Sequence, residues 1–445
     1  MKIRIAVLVT LLAIVVVAVI ALPRPQQRQY PKRIPVKFWH MWTSEWKTVV
    51  DNICDDFNKS QDKYEVIPLS LAGPGAGETK FLLGVTGGDP PDVMCEWNPV
   101  IPNWAENKLL RPLNDFMTPK EWAEFKRKVF PAPRKIGMYK GNLYGMSVGM
   151  NVWACYYRTD HLRQAGLDPK RWPKTLDGVM AWGRKLDRFD KRGNLVRLGF
   201  MPTNWVMYAT GFGDGFYEWK TDKLTLDTPG NLRSLSYLVD QRKKLGFQNV
   251  LRFESGMQQG VGGIEWPFIT GGYSMRVEGQ WRVEQLAKYA PELEYGTAPM
   301  PPPAGGNSRF GCSFGNFLVI PVGAKQAEGA WEFIKFWSGV EKPERAAEFY
   351  LWGGWLPWCQ AIADAPKYQE YLRKHPQFKT FLDLMPSDNI SPVPPVPYQL
   401  FVYDRILKAD DLAVRGAVTP GQAMKDLVNE VAQEQTRRKE LGYRE

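Results

Sequence analysis

Apolar positions along the chain fall into two alternating rhythms. Residues 34–40, Ile-Pro-Val-Lys-Phe-Trp-His, read as a strand. Trp46, Val49, Val50, Ile53 and Phe57 then recur at helical spacing on one face, and polar Asn58-Lys-Ser-Gln-Asp62 closes that helix. Residues 64–71 read as a second strand, 73–77 as a Gly-rich loop, 79–85 as a helix stopped by Gly87-Gly88, and 92–95 as a short buried strand. Strand and helix in alternation predict an α/β fold, a mostly parallel sheet covered on both faces. Further along, Thr175 caps a helix reaching Leu186, with Leu176, Val179, Met180 and Leu186 inward. Residues 327–338 form another, whose Trp331 and Trp337 belong to the core. Thr419-Pro-Gly-Gln422 carries the clearest start signal: a Thr cap, Pro at the first helical position and a capping-box Gln. Ala423, Leu427, Val428 and Val431 give that helix its buried stripe.

The amino terminus follows neither rhythm. Residues 5–22 are apolar except Thr10, behind basic Met1-Lys-Ile-Arg4 and ahead of a Pro-rich polar stretch ending at Arg33. As a helix this run is about 27 Å long, close to the roughly 30 Å of bilayer hydrocarbon. It exceeds the about 7–15 residues of a signal-peptide core, yet Val19-Ile20-Ala21 is an acceptable cleavage site. Signal peptide or membrane anchor, residues 1–33 send the rest outside the cytoplasmic membrane. No Cys follows the apolar run to carry a lipid.

Composition narrows the chemistry. Of 445 residues 44% are hydrophobic and 24% charged, the balance of a globular protein. Lys and Arg (58) exceed Asp and Glu (47), giving +11, but in short blocks with acids close behind. A nucleic-acid binder concentrates its charge on a stripe, so no such partner is expected. Aromatics reach 13%, and many Trp stand beside Gly, Asn or Glu rather than in apolar runs, which suits flat platforms for a ligand with apolar faces. Five Cys (54, 95, 155, 312, 359) are widely spread and odd in number, so they read as buried small hydrophobes and not as a disulfide framework.

Three His stand apart from one another and from Cys, so no zinc site and no cofactor are expected. The Gly-rich segment at 73–80 lacks the Gly-Lys-Ser/Thr order of a phosphate loop. Gly311-Cys-Ser-Phe-Gly315 spells a nucleophile elbow, but a loop precedes it and a strand from Asn316 follows, so it is read as a loop. Paired carboxylates for glycoside hydrolysis stay open on spacing alone, with Glu96 and Glu265 first to test.

Several stretches, taken in order, resemble the extracellular solute-binding proteins of ABC importers, in the maltose-binding-protein-like family 1 that binds sugars, oligosaccharides and glycerol phosphates. They are Lys80–Val93 with its Gly-Asp-Pro-Pro-Asp-Val, Trp104–Phe116, Tyr139–Met146 followed by Tyr156–Asp160, Phe268–Met275 with Gly279-Gln-Trp281, Ala330–Phe336 and Gly354–Pro357. The ordered set covers about residues 34–435. The family's lipid-anchoring Cys is missing, which leaves residues 5–22 as the expected tether.

The resemblance implies two α/β lobes of the periplasmic-binding-protein class II type, hinged by several crossovers. Lobe 1 is expected at 34–148 and 314–352, lobe 2 at 150–312 and 353–445. It implies a monomer that captures a carbohydrate without catalysis and delivers it to the ABC transporter permease subunits. An exported carbohydrate-active enzyme and a membrane-tethered sugar sensor are the alternatives. A sugar ring has a C–H face and a hydroxyl rim, so its site needs aromatic plates with amide and carboxylate partners. Candidate ligand contacts are Trp42 after the first strand, Glu96, Trp97 and Asn98 after the third, Asn151 and Asn316 at the crossovers, and Trp205, Trp281, Trp355 and Tyr403.

Overall fold

A buried carboxylate ties the segment ahead of the first strand to the second strand. Glu65, 3% exposed, accepts from the N–H groups of Gln29 (2.7 Å) and Tyr30 (3.0 Å) and from the Arg28 guanidinium (2.9 Å). The computed structural model describes residues 28–71, 76–97, 99–213, 215–257 and 263–443. The apolar run at 5–22 and Asn98 lie outside the described residues, and among these no helix is long and apolar enough to cross a membrane.

β1 (Ile34–His40), α1 (Ser44–Ser60), β2 (Tyr64–Ser70), α2 (Ala76–Thr86) and β3 (Val93–Trp97) follow the alternation read from the sequence, with altered bounds. α1 runs past its expected end because Asn58 is buried: its amide donates to the Val66 carbonyl (3.0 Å) and accepts from the Val66 N–H (2.7 Å). β3 continues through Glu96 and Trp97, which therefore end the strand rather than follow it. The chain continues through β4 (Met146–Arg158), α3 (Leu176–Leu186), α4 (Trp205–Phe212), α5 (Pro229–Leu245), β5 (Met275–Gly279), α6 (Trp281–Tyr289), β6 (Tyr295–Ala298) and β7 (Gly311–Val319). α7 (Ala327–Ser338), α8 (Pro343–Gly353), β8 (Ile390–Ser391), α9 (Gln399–Val414) and α10 (Pro420–Glu440) complete the elements used below. The Thr419 hydroxyl caps α10 through the Gln422 N–H (3.2 Å), but the Gln422 side chain turns forward to Asp426 (2.7 Å), so only half of the expected capping box forms.

One mixed sheet runs in the order β5-β4-β7-β3-β1-β2, with β6 added on β4 and β8 on β7. β1 lies parallel to β2 and β3, while β7 is antiparallel to both β3 and β4. β4, 13 residues long, pairs with β7 up to Val152 and with β5 from Trp153 on. Its side chains alternate between two buried clusters: Ala154 and Tyr156 enter the one that also holds β1, α1 and α7, and Cys155 enters the one built on α3, α4, α5, α9 and α10. Gly311–Gly315 belongs to β7, correcting the expected loop, and Ser313 is fully buried with its hydroxyl on the Asn151 carbonyl (3.0 Å). All five Cys are buried and free.

The two long strands meet a third segment at Gly149. Met150 exchanges both backbone hydrogen bonds with Leu356 (2.9 and 3.1 Å), which lays the Trp355 indole directly over Gly149. A Cβ there would stand 2.8 Å from the ring. Gly149→Ala should destabilise the chain by about 1–3 kcal/mol through forced displacement of Trp355. Denaturant unfolding followed by tryptophan fluorescence checks it; an unchanged midpoint would show that the ring yields freely.

Candidate ligand-binding site

Pairing in the sheet sets which side chains share a face. Phe314 lies opposite Asn151, Asn316 lies opposite Trp97, and Trp153 follows Asn151 by two residues on the same strand. The rings accordingly form a connected wall. Phe314 contacts Trp97 (centroids 5.8 Å apart), Trp153 (5.5 Å, edge to face) and Tyr403 of α9 (5.6 Å), and Trp153 contacts Trp281 edge to face at 5.6 Å. Trp97 is 41% exposed, and Trp153, Trp281 and Tyr403 are half-buried, so these rings keep surface for a guest. Burial raises the Tyr403 hydroxyl pKa and keeps it a neutral donor.

Trp281 opens α6 and reaches the wall because Gly279 precedes it: a Cβ on Gly279 would overlap the indole at 1.9 Å. Beside Trp281 lies a cavity of about 230 Å³ lined by Glu45, Trp46 and Val49 of α1, by Glu284, Gln285, Lys288 and Tyr289 of α6, and by Trp352, Gly353 and Gly354. Lys288 pairs with Glu45 across it at 2.8 Å. Aromatic faces, two carboxylates and an amide in one enclosure suit a polyhydroxylated ring. Trp46, on the core stripe of the first helix, is half-buried: it packs against the core and also lines this cavity. A larger cavity of about 750 Å³, bordered by Tyr139, Tyr217, Tyr398 and Gln435, contains none of the candidate residues.

The remaining candidates are placed differently. Trp205 is fully buried in the α4 core and its indole N–H donates to the Ser234 hydroxyl (2.6 Å), so it is a core residue with no face for a ligand. Trp42 and Trp355 are 8% and 4% exposed and pack on one another (5.4 Å) and on Trp337 (5.6 and 6.1 Å). Trp355 lies over Gly149, on the face of β4 that also carries Asn151 and Trp153, and buried His40, held at about pKa 4 by desolvation, packs beside Trp42. Asn316 is buried within β7.

Glu96 turns away from its neighbour. Its carboxylate accepts from the Trp97 N–H (3.1 Å) and lies against the first turn of α2, where a Cβ on Gly77 would be 3.3 Å from Oε2. Burial, with Glu78 nearby, pushes its pKa up to about 7. Glu265 is exposed on a short turn ahead of Trp266, and among the described residues no contact brings the two carboxyls together.

Sequence reasoning missed Gln280. Its side chain is fully buried and binds four groups: the amide nitrogen donates to the carbonyls of Met150 (3.3 Å) and Gly354 (3.2 Å) and to Asn151 Oδ1 (2.8 Å), while the amide oxygen accepts from the Val152 N–H (3.3 Å). Its only sequence signal was its place between Gly279 and Trp281.

The chain matches the model of the bacterial extracellular solute-binding proteins over residues 52–380. The sn-glycerol-3-phosphate-binding periplasmic protein UgpB of Escherichia coli strain K12 is 22% identical over 376 residues, 82% of each chain. Among solved structures, CpMnBP1 with mannotriose bound superposes with TM-score 0.76 at 26% identity, over 89% of this chain and 100% of that one. The sugar-binding protein MalE of the phytopathogen Xanthomonas citri gives TM-score 0.73 at 20% identity, over 92% of this chain and 100% of that one. The fold is therefore that of the sugar-binding MalE-like proteins.

Held above its ordinary value of 4.5, Glu96 favours folding while protonated, so its contribution is present in acid and is lost as pH rises through about 7. Glu96→Gln should remove that loss, leaving the variant's stability on the order of 2 kcal/mol less dependent on pH between 5 and 8. Urea unfolding of both proteins across that range measures the difference; parallel profiles would place the carboxyl at an ordinary pKa.

Proposed function

This chain belongs to the bacterial extracellular solute-binding protein family, and we propose that it captures a neutral oligosaccharide outside the cytoplasmic membrane and hands it, unmodified, to an ABC importer. The connected wall of Trp97, Phe314, Trp153, Trp281 and Tyr403, with Asn151 on the same face, carries this reading. Apolar sugar faces stack on such rings while the hydroxyl rim meets amide and carboxylate groups.

Two kinds of relative offer different ligands: UgpB is named for sn-glycerol-3-phosphate, and CpMnBP1 was solved with mannotriose. The charge around the wall favours the neutral one. Its members are aromatic or amide side chains, and the adjoining cavity adds Glu45 and Glu284 against Lys288, whose charge Glu45 already meets. A phosphate dianion calls for clustered Arg, Lys or free backbone N–H donors.

Lobes at 34–148 with 314–352 and at 150–312 with 353–445 would close over the guest by differential affinity, since a solute touching both sides stabilises the closed state. Residues 5–22 would hold the monomer at the membrane. No covalent step is needed for capture and release.

A thermal-shift screen of the exported protein against mannobiose, mannotriose, other neutral oligosaccharides and sn-glycerol-3-phosphate, with mass analysis of the recovered ligand, tests the reading. A neutral oligosaccharide should raise Tm and return intact; stabilisation by the phosphate ester alone, or a cleaved sugar, overturns it. Trp97→Ala and Trp281→Ala should each weaken binding by about 1–3 kcal/mol in calorimetric titration, while unchanged affinity would remove the residue from the site.

A further inference from the structure

The four hydrogen bonds of Gln280 have a fixed sense. Two of its partners, the Met150 and Gly354 carbonyls, only accept, and a third, the Val152 N–H, only donates. The amide nitrogen of Gln280 must therefore face Met150 and Gly354, and its oxygen must face Val152. That same nitrogen lies 2.8 Å from the Asn151 side chain, so the Asn151 atom on that side must be its oxygen. Asn151 is half-buried on the wall's face of β4, and its amide nitrogen is turned away from Gln280. Among the described residues that nitrogen has no other partner.

We propose that Gln280 is a positioning residue which locks Asn151 as a hydrogen-bond donor, so that the site reads an acceptor on its ligand at this point: the lone pair of a sugar hydroxyl. The inference rests on the carbohydrate reading above and deepens it. An amide free to turn would accept or donate alike; locked, it selects the group opposite. The lock also reaches the Gly354 carbonyl, so the same side chain fixes Asn151 against the segment carrying Trp355.

Mannotriose and its monodeoxy and monofluoro analogues supply the test, by calorimetry on the full chain. Fluorine replaces a hydroxyl as an acceptor but cannot donate. At the hydroxyl facing Asn151 the fluoro analogue should bind at least about fivefold better than the deoxy analogue. In Asn151→Asp, where Gln280 still donates to one oxygen and the other can only accept, that advantage should vanish at this position alone. A residue with a merely structural role would weaken all analogues together. A second readout needs no ligand: in Asn151→Asp the introduced carboxyl, followed by carbon-13 NMR, should titrate below the usual value of about 3.9 and return toward it when Gln280→Leu is added. Equal binding of fluoro and deoxy analogues throughout, or an ordinary titration of the introduced carboxyl, overturns the proposal. If mannotriose fails to bind, the titration alone decides it, and the ligand reading fails separately.

Discussion

Two extended strands and a loop cross at a point where no side chain fits. β4 and β7 run through the sheet from the β3 side to the β5 side, and Met150 is pinned on its free side by Leu356. Gly149 lets the Trp355 indole settle on the backbone at this crossing, and Gln280 fills the other side with four hydrogen bonds. Close packing of this kind tolerates few intermediate arrangements, because interiors are as dense as organic crystals. Motion between the two ends of the sheet would have to respect this knot, and every candidate ligand contact on β4 and β7 sits within a few residues of it.

The indoles divide into two populations for a physical reason. Trp42, Trp337 and Trp355 pack ring to ring with almost no exposed area, which makes them a stiff aromatic cluster against α7. Trp97, Trp153 and Trp281 touch each other or Phe314 mainly by edges or tilted faces and leave area uncovered. Edge-on contacts fix a ring's orientation without consuming its face. The buried group thus supplies rigidity, and the half-covered group supplies the surface on which a guest can lie.

Much of the scaffold was legible from periodicity. The β1-α1-β2-α2-β3 alternation and the caps of α3 and α10 follow directly from apolar spacing and from Thr175 and Thr419. Bounds shifted where tertiary contacts overrode local signals, as when the Asn58 amide found Val66 and stretched α1 past its polar end. Within the candidate site, Trp97 and Trp281 were nameable because they lie at or just past strand ends, and Asn151, inside β4, and Tyr403, inside α9, because the resemblance supplied their order. Trp205 was misplaced: an Asn-Trp pair in a Pro-Thr loop reads as exposed, and only the tertiary fold reveals that the indole turns inward to Ser234. Gln280 was invisible because a buried amide looks, in sequence, like any surface glutamine; its role exists only through partners drawn from two distant segments, 150–152 and 354. Trp46 keeps its place on the core stripe, but a helical stripe does not say where core ends and cavity begins.

The five unpaired thiols set a condition on how this chain becomes a protein. Each is at most 2% exposed, and desolvation raises their pKa values so that the reactive thiolate is suppressed. A chain of an exported family meets its oxidants during translocation, before any of that shelter exists. Folding thus has a deadline: Cys54, Cys95, Cys155, Cys312 and Cys359, scattered over the whole length, must all be enclosed before any two are joined, and the finished fold is what keeps them apart.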